Sequence, residues 1–302
     1  MKILSIGNFG TGWDGSICDE EHIAKALEDM GHEVGRYQRE DANEHVAIPI
    51  GYYNLVLIAQ WDGYPEQFME VISQLQCLVV YWAFDYQPDG QEWHERLVRG
   101  ADIYLSKRLA DSKYPNWHWL SQDFAPMFLN KVPFEVKKDI DVLFTGSYLD
   151  WATERNEIVK AVDEKFNLTV HSVTTDEWTK QGIKNSLGPA MDASLPELIA
   201  RAKINLSIDH TIEAGYWSDR NAQIMACGGF VLFRYIPMSE VAFHDNIEYF
   251  NSKEDCLGKI EAYLEVPKFC ENIAEMGYKY ARFNLMVKNR VEDMLIIVEQ
   301  YL

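Results

Sequence analysis

The 302-residue sequence lacks the features that mark several large classes of protein. Its five cysteines form no C-x-x-C pair, no apolar run is long enough to span a bilayer, and the opening residues MKILSIGNFG do not resemble a secretory leader. Walker A, H-E-x-x-H, nucleophile-elbow and clustered Cys/His patterns are absent as well. We therefore expect a soluble cytoplasmic protein with reduced cysteines. Metal dependence is not indicated either, because the nearest D-x-D pattern, at 139–141, is typical of a linker before a strand.

Positive charge is also scarce. The chain carries 28 Lys and Arg against 47 Asp and Glu, a formal net charge of −19. A chain this acidic repels phosphate backbones, so binding of nucleic acid through bulk charge is disfavoured, although a local basic cleft stays compatible with the composition.

Short apolar runs alternate with helical patterns along the whole chain. The strands that we predict are Ile3–Ile6, Leu55–Ala59, Leu78–Trp82, Ile103–Leu105, Val142–Thr145, Leu168–Val170, Ala202–Ile208 and Phe230–Phe233. Continuous apolar strands separated by helices indicate parallel sheets that are covered on both faces. A stretch without periodicity, 124–138, is the best linker candidate.

The predicted fold class is therefore α/β, with two Rossmann-like, doubly wound parallel-sheet domains. We predict an N-terminal domain over 1–130, a C-terminal domain over 138–285, and a last helix over 286–302 that packs back across both. Sheets of this kind bind ligands at the carboxyl ends of their strands. Functional residues are thus expected in the loops after strands, facing a cleft between the domains.

The first such loop is GTGWDG, at 10–15, a G-x-G-x-x-G sequence between a strand and a helix. Alone it suggests dinucleotide binding, because glycines let the backbone approach a pyrophosphate. However, the helix is predicted to start only near Asp19, and the second strand ends in GRYQRE, without an acid for a ribose hydroxyl. Nicotinamide binding with Arg36 or Arg39 at a phosphate stays open, as does a flexible turn. The third alternative is a loop that places three residues near the substrates: Gly12, Trp13 and Asp14.

Asp85 follows a buried strand in VVYWAFDYQPDGQEW and precedes a turn. A carboxylate that Trp82, Phe84 and Tyr86 partly desolvate would have a raised pKa and could act as a general base toward an acceptor hydroxyl. A helix or turn cap is the alternative role, and the spacing favours neither.

The segment LFTGSYLDWATERNE ends a strand at Gly146-Ser147, where backbone N–H groups and a hydroxyl can meet an anion. Arg155 lies on the following helix. From there it either reaches back to the same anion or is a solvated surface arginine.

In YWSDRNAQIMACGGFVLF a helix is predicted to start near Asp219, with Arg220 in its first turn. The helix dipole disfavours a cation there, unless an anion bridges the charge and the free N–H groups. Asp209 and His210 end the preceding strand and should face the cleft as well, although a lone histidine of this kind is more often structural.

The same region, SLPELIARAKINLSIDH…SDRNAQIMACGGFVLFRYIPMSEVAF, resembles the C-terminal domain of CgeB-like, spore-maturation-type family 1 glycosyltransferases of GT-B fold. Nearly the whole chain is also similar in layout to bacteriophage DNA β-glucosyltransferases. The resemblance implies a nucleoside-diphosphate sugar as donor, with a UDP-sugar favoured, and a catalytic aspartate at Asp85. It also implies phosphate contacts from Thr145-Gly146-Ser147, Arg155 and Arg220.

One position departs from the family pattern. Gln223 stands where the family has a glutamate that accepts hydrogen bonds from the donor ribose, which puts the donor affinity or nucleotide preference in doubt. The loop GPAMD, at 188–192, stands where relatives read the base through backbone atoms. The predicted donor-binding set is Gly12, Gly146, Ser147, Arg155, Gly188, Met191, Asp209, His210, Ser218, Arg220, Asn221 and Gln223.

The sequence therefore predicts inverting, metal-independent transfer of a sugar to an acceptor hydroxyl, with Asp85 and Asp14 as catalytic residues and no tightly bound cofactor. Two alternatives stay open: an NAD(P)-dependent oxidoreductase, and a catalytically silent GT-B protein that binds a nucleotide sugar. The acceptor is a small glycan, a nucleotide or a modified base in DNA, and the net charge of −19 counts against DNA.

Overall fold

The computed structural model describes residues 1–11, 17–43, 47–59, 64–86, 88–121, 135–190 and 194–302. The chain divides into two compact units. The first combines Met1–Gln122 with Val287–Leu302, and the second is Asp123–Met286. Each unit is built around a six-stranded sheet.

The first unit contains the strands β1 (Lys2–Gly7), β2 (Glu33–Gln38), β3 (Leu55–Ala59), β4 (Leu78–Trp82), β5 (Ile103–Ser106) and β6 (Trp117–Trp119). Its first helices are α1 (Asp19–Asp29), α2 (Arg39–Asn43), α3 (Phe68–Ser73) and α4 (Glu92–Gly100). All pairings are parallel and the strand order is β2-β1-β3-β4-β5-β6. The order reverses at β1, so the crevice for a ligand is expected at the carboxyl ends of β1 and β3.

The second unit contains β7 (Ile140–Thr145), β8 (Leu168–His171), β9 (Ser186–Leu187), β10 (Ala202–Ser207), β11 (Val231–Arg234) and β12 (Glu248–Phe250). Its helices are α5 (Thr153–Lys165), α6 (Thr175–Lys180), α7 (Leu195–Arg201), α8 (Arg220–Ala226), α9 (Ser239–Phe243), α10 (Lys253–Glu265) and α11 (Pro267–Asn284). The parallel order β12-β11-β10-β7-β8-β9 is the Rossmann order, with its switch point between β7 and β10.

The core of the second unit follows from strict alternation along its strands. Val142 and Phe144 pack on one face of the sheet, whereas Leu143 packs on the other, and all three are fully buried or nearly so. Each large apolar side chain removed from water in this way contributes about 1.5–3 kcal/mol. The middle of the sheet is therefore closed to ligand on both faces, and a site is expected at its strand ends or its edge.

The last helix, α12 (Val287–Glu299), belongs to the first unit and packs against α1. It buries Val287, Val291, Met294 and Val298, which recur at helical spacing along one face. Its packing across both units stays a prediction. No helix in the part of the chain that the structure describes is long and apolar enough to cross a membrane.

The predicted α/β class with two doubly wound parallel sheets is confirmed. The strands β6, β9 and β12 were not predicted. They are two or three residues long, lie at or near the sheet edges and are mostly half-exposed, so they carry no continuous apolar run. Most of the predicted linker, up to residue 134, lies outside the described residues.

Candidate functional site

The switch point of the second sheet brings together two of the predicted loops. β7 ends at Thr145 and continues into Gly146 and Ser147, while the neighbouring β10 ends at Ser207 and continues into Asp209. The carboxyl ends of adjacent parallel strands meet at one edge, so these loops share a crevice.

Gly146 is fixed by the sheet beneath it. Its N–H donates to the carbonyl of His171 at 3.1 Å, and its own carbonyl accepts the indole N–H of Trp178 at 3.0 Å. A Cβ at this position would lie 2.9 Å from Cζ of Phe144, so glycine is the residue that fits without a shift. Because the Gly146 N–H is used in the sheet, an anion at this loop would have to be bound by Ser147 rather than by the Gly146 N–H as predicted.

Arg155 lies in the first turn of α5 and is only 4% exposed. Its Nη2 donates to the carbonyl of Ser147, so the side chain does reach back to the loop. Burial, and then the charge of Arg220, lower the pKa of Arg155 to about 10, although Asp209 acts in the opposite direction. The alternative of a solvated surface arginine is therefore wrong.

Arg220 is the first residue of α8, as predicted. Its Nη1 lies 3.5 Å from Oδ1 of Asp209 and 3.4 Å from the carbonyl oxygen of Ile208, both of which are long contacts. Asp209 is buried and also accepts the N–H of Ser218 at 3.2 Å. Two guanidinium groups thus share one buried carboxylate, and this arrangement favours an additional anion.

A pocket of about 300 Å³ opens beside these charges. Its charged and aromatic lining residues are Trp151, Glu154, Arg155, Asp209, His210 and Arg234. Trp151 is 62% exposed, and its ring meets that of His210 edge-on, with centroids 5.0 Å apart. Arg234 and Glu154 form an ion pair of 2.8 Å and largely cancel each other's charge.

Trp151, Glu154 and Arg234 were not predicted as site residues. The signal for Arg234 is its position at the carboxyl end of β11, next to β10. Trp151 and Glu154 follow β7 within a segment that was already singled out, but only the folded loop shows that they face the pocket.

Three further predicted residues surround the start of α8. The side-chain amide of Gln223 donates to the carboxylate of Asp219. Asn221 is fully buried, and neither of its side-chain polar atoms has a partner within the described part of the chain; the Ser218 hydroxyl is likewise buried and unpartnered there. Asn221 therefore lies below the crevice rather than on its surface.

A second pocket, of about 530 Å³, lies on the other side of β7 and β8. Its lining includes Thr169, His171, Asn185, Leu187, Pro189 and Ala190. The carbonyl of Gly188 lies 2.8 Å from Nδ1 of His171, which fixes the start of the GPAMD loop. Met191 lies outside the described residues.

In the first unit, Asp85 follows β4 but is exposed. Trp82 and Phe84 turn into the core, and the ring of Tyr86 packs against Arg108, whose guanidinium carbon lies 4.9 Å from the ring centroid. The partial burial that we expected for Asp85 is therefore wrong. Gly12, Trp13 and Asp14 lie in the segment 12–16, outside the described residues.

Sequence analysis missed Glu20, which lies in the first turn of α1 at the carboxyl edge of the first sheet. Its Oε1 accepts the N–H of Asn8 at 3.1 Å. Burial raises the pKa of Glu20, the charge of Asp85 raises it further, and Arg39 lowers it. Three acids share this turn, Asp19, Glu20 and Glu21, so the sequence offers no signal that separates Glu20 from its neighbours.

Both candidate phosphate ligands of the nicotinamide alternative, Arg36 and Arg39, are paired with acids, Arg39 with Glu40 at 2.7 Å. Arg36 pairs with Glu21 at 3.0 Å and with Glu28 at 2.6 Å. Gln38, at the end of β2, instead exchanges two hydrogen bonds with the backbone of Phe9, at 3.0 and 3.1 Å. Within the described residues, no group of three or more His, Cys, Asp or Glu side chains is placed to hold a metal ion.

Two doubly wound parallel sheets, one with a cationic crevice at its switch point, define a protein of the GT-B glycosyltransferase fold. Residues 154–296 match the family model described as glycosyl transferase-like. No curated protein is similar enough in sequence to count as a relative. The narrower CgeB-like resemblance stays a prediction.

Several solved structures share this fold over nearly their whole length. An α-glucosyltransferase in complex with UDP and a 13-mer DNA has a TM-score of 0.72 and 12% identity, covering 99% of this chain and 100% of its own. Sucrose-phosphate synthase from Thermosynechococcus elongatus has a TM-score of 0.70 and 9% identity, and the match covers 100% of this chain and 99% of the synthase chain. Anabaena HepE in complex with UDP and glucose has a TM-score of 0.65 and 14% identity, covering 99% of each chain.

Proposed function

We propose that this protein is a glycosyltransferase whose donor is a nucleoside-diphosphate sugar, specifically a UDP-sugar. The observation that carries the proposal is the pair Arg155 and Arg220 around the single buried carboxylate of Asp209, at the switch point of a Rossmann-order sheet. A diphosphate supplies the negative charge that this group of residues lacks.

The same two arginines suit the departure of a nucleoside diphosphate. When the bond between the anomeric carbon and the diphosphate oxygen breaks, its electron pair stays on the diphosphate. Fixed cations at that position stabilise the charge as it develops in the transition state. Two guanidinium groups fill the role that a metal ion has in other transferases, so we propose a metal-independent reaction.

The base and ribose would extend from the diphosphate toward the 530 Å³ pocket beside Gly188. Uracil is the base we favour, because the α-glucosyltransferase and HepE structures of the same fold contain UDP. The ribose would meet Gln223 and Asp219, whose side chains are already hydrogen-bonded to each other. Asp219 supplies the negative charge that Gln223 lacks.

On the acceptor side, Asp85 is our candidate for the general base. In a single displacement, the acceptor oxygen attacks the anomeric carbon, its proton passes to Asp85, and UDP leaves with the bonding electrons, which inverts the configuration. The exposure of Asp85 suits a group that must meet an acceptor from solution. Asp14 stays a prediction as a second catalytic residue.

The test is Asp85→Asn, with Asp89→Asn as the matched control. Asp89 is an exposed aspartate four residues further along, paired with Lys113 at 2.9 Å. Asp85→Asn should lower sugar transfer by about 10²–10⁴-fold and leave UDP affinity, measured by calorimetry, unchanged. Near-normal turnover in Asp85→Asn would remove the assignment. NMR of the product reads its anomeric configuration directly.

A catalytically silent nucleotide-sugar-binding protein is the second candidate, favoured by the uncharged Gln223. The two candidates separate in one assay. A transferase releases UDP from UDP-glucose at a rate that rises with acceptor, whereas a silent protein binds UDP-glucose and releases no nucleotide above the uncatalysed rate.

A further inference from the structure

The carboxyl edge of the first sheet gathers polar side chains from three of its strand ends. Asn8 follows β1 and binds Glu20, Arg39 follows β2, and Asp85 follows β4. The charges of Arg39 and Asp85 both act on the carboxyl group of Glu20. Glu20 and Asp85 thus lie at the same carboxyl edge, Glu20 at the switch point between β1 and β3 and Asp85 one strand further along, where open α/β sheets bind their ligands.

The side chain of Glu20 packs closely against the backbone at the end of β1. A Cβ on Gly7 would lie 2.7 Å from Cγ of Glu20 and 3.1 Å from Cβ of Ala59, so the Glu20 side chain lies over the ends of β1 and β3. β4 is the next strand, and neighbouring strands are about 4.8 Å apart. Asp85 follows β4, so the chain positions that carry the two carboxyl groups lie about one to two strand spacings apart, roughly 5–10 Å, which is the scale of one monosaccharide.

The surroundings of Glu20 do not compensate for its loss of water. Its carboxylate accepts hydrogen bonds from neutral backbone N–H groups, those of Asn8 and of Glu20 itself, and the nearby Arg39 is also paired with Glu40 at 2.7 Å. The nearby hydroxyl of Tyr64 donates to the carbonyl of Ala59 at 3.2 Å rather than to Glu20. A carboxyl group that is partly desolvated and shares its nearby cation with another acid costs folding free energy, and such groups concentrate at functional sites.

We propose that Glu20 binds a hydroxyl group of the acceptor beside the hydroxyl that Asp85 activates, so that the acceptor is a monosaccharide or the terminal sugar of a glycan. This inference rests on the proposed function. A carboxylate accepts hydrogen bonds from hydroxyl groups, and two carboxylates at this spacing bind two hydroxyls of one sugar ring. A hydroxymethylated base presents a single hydroxyl and would leave Glu20 without a ligand.

The experiment uses the full chain with UDP-glucose as donor and two sets of acceptors. One set is p-nitrophenyl glycosides of common hexoses and pentoses with their monodeoxy analogues, and the other is duplex DNA that contains 5-hydroxymethylcytosine. The variants are Glu20→Gln, which keeps the shape and the oxygen facing Asn8, and Glu21→Gln. Glu21 is the matched control, because it lies in the same turn but pairs with Arg36 instead.

We expect the wild type to glycosylate at least one glycoside and not the DNA. Glu20→Gln should raise the KM for that glycoside by about tenfold to a hundredfold, with the Kd for UDP and the unfolding temperature preserved, whereas Glu21→Gln should match the wild type. One monodeoxy analogue should be a poorer acceptor for the wild type and equally poor for Glu20→Gln, because the hydrogen bond is already lost. A purely structural role of Glu20 would lower the unfolding temperature and affect all acceptors alike.

Three results would overturn the inference: a KM for Glu20→Gln that equals that of Glu21→Gln, transfer to the hydroxymethylated DNA but to no glycoside, or no transfer to any glycoside by a protein that still binds UDP. A protein that does not bind UDP at all would instead overturn the proposed function, and this inference with it.

Discussion

Replacing Arg155 by methionine should stabilise the ligand-free protein and weaken its binding of UDP. Burial, more than any other cause, lowers the pKa of Arg155 from its ordinary value to about 10. At about 1.4 kcal/mol per pH unit, holding this charge costs about 3 kcal/mol. The cost is fully present below about pH 10, because both the folded and the unfolded forms are protonated there. Methionine removes the charge but also the hydrogen bond to Ser147, worth about 1 kcal/mol. The net expectation is that the free energy of unfolding of the ligand-free protein rises by about 1–2 kcal/mol.

UDP binding should change in the opposite direction. A lost charge-assisted hydrogen bond costs about 1.5–3 kcal/mol, which corresponds to a rise in Kd of about 10- to 100-fold. Urea unfolding of the ligand-free protein measures the first effect, and calorimetry with UDP measures the second. Arg282→Met is the control, because Arg282 is exposed on α11, against Tyr278, and should affect neither. Lower stability of Arg155→Met together with unchanged UDP affinity would show that Arg155 merely supports the Ser147 loop.

Three further predictions follow from the same structure. Arg220→Ala should raise the Kd for UDP, measured by calorimetry, at least tenfold. In the ligand-free protein, the double variant with Arg155→Met should gain less free energy of unfolding than the sum of the two single changes, because either change removes the repulsion between the two arginines. Additive changes in the free energy of unfolding would contradict this. Gly146→Ala should lower the free energy of unfolding, measured in urea, by about 1–3 kcal/mol, because the Cβ of the alanine would meet Phe144. Gly188→Ala is the control: it has open space around it, so its free energy of unfolding should stay within about 0.5 kcal/mol of the wild type. Glu20→Gln should be at least as stable as the wild type at pH 7, because the raised pKa of Glu20 means that its charged form destabilises the folded protein. This difference in stability should vanish as the pH falls below 4.5, where the carboxyl group is protonated in both the folded and the unfolded protein. A loss of stability at pH 7 would contradict a functional role.

The fold could be predicted from the sequence because its central strands are continuous apolar runs. β3, with the sequence LVLIA, is buried at every position, as expected for a strand of a parallel sheet that is covered on both faces. The edge strands could not be predicted by the same signal. β12, with the sequence EYF, is half-exposed and owes its pairing to β11 rather than to its own composition.

The candidate site could be predicted only in part. Strand ends were sufficient to find Asp209, and the helix start was sufficient for Arg220. The depth of Arg155 depends on the path of the Ser147 loop, which lies eight residues away in sequence. Asp85 shows the opposite error, because residues that are aromatic neighbours in sequence need not pack on the carboxylate: Trp82 and Phe84 enter the core, whereas Asp85 stays exposed.

The distribution of charge bears on the acceptor more directly than the net charge of −19 does. In the second unit, two arginines share one carboxylate, so that crevice attracts a diphosphate although the chain as a whole is acidic. In the first unit the proposed acceptor edge carries Glu20 and Asp85, while two of the cations that the structure describes there are already paired: Arg39 with Glu40, and Arg108 with Asp111 at 3.2 Å. An edge of this kind repels the phosphates of a duplex and attracts hydroxyl groups. The acceptor expected on these grounds is therefore an uncharged sugar, even though a protein of the same fold binds DNA.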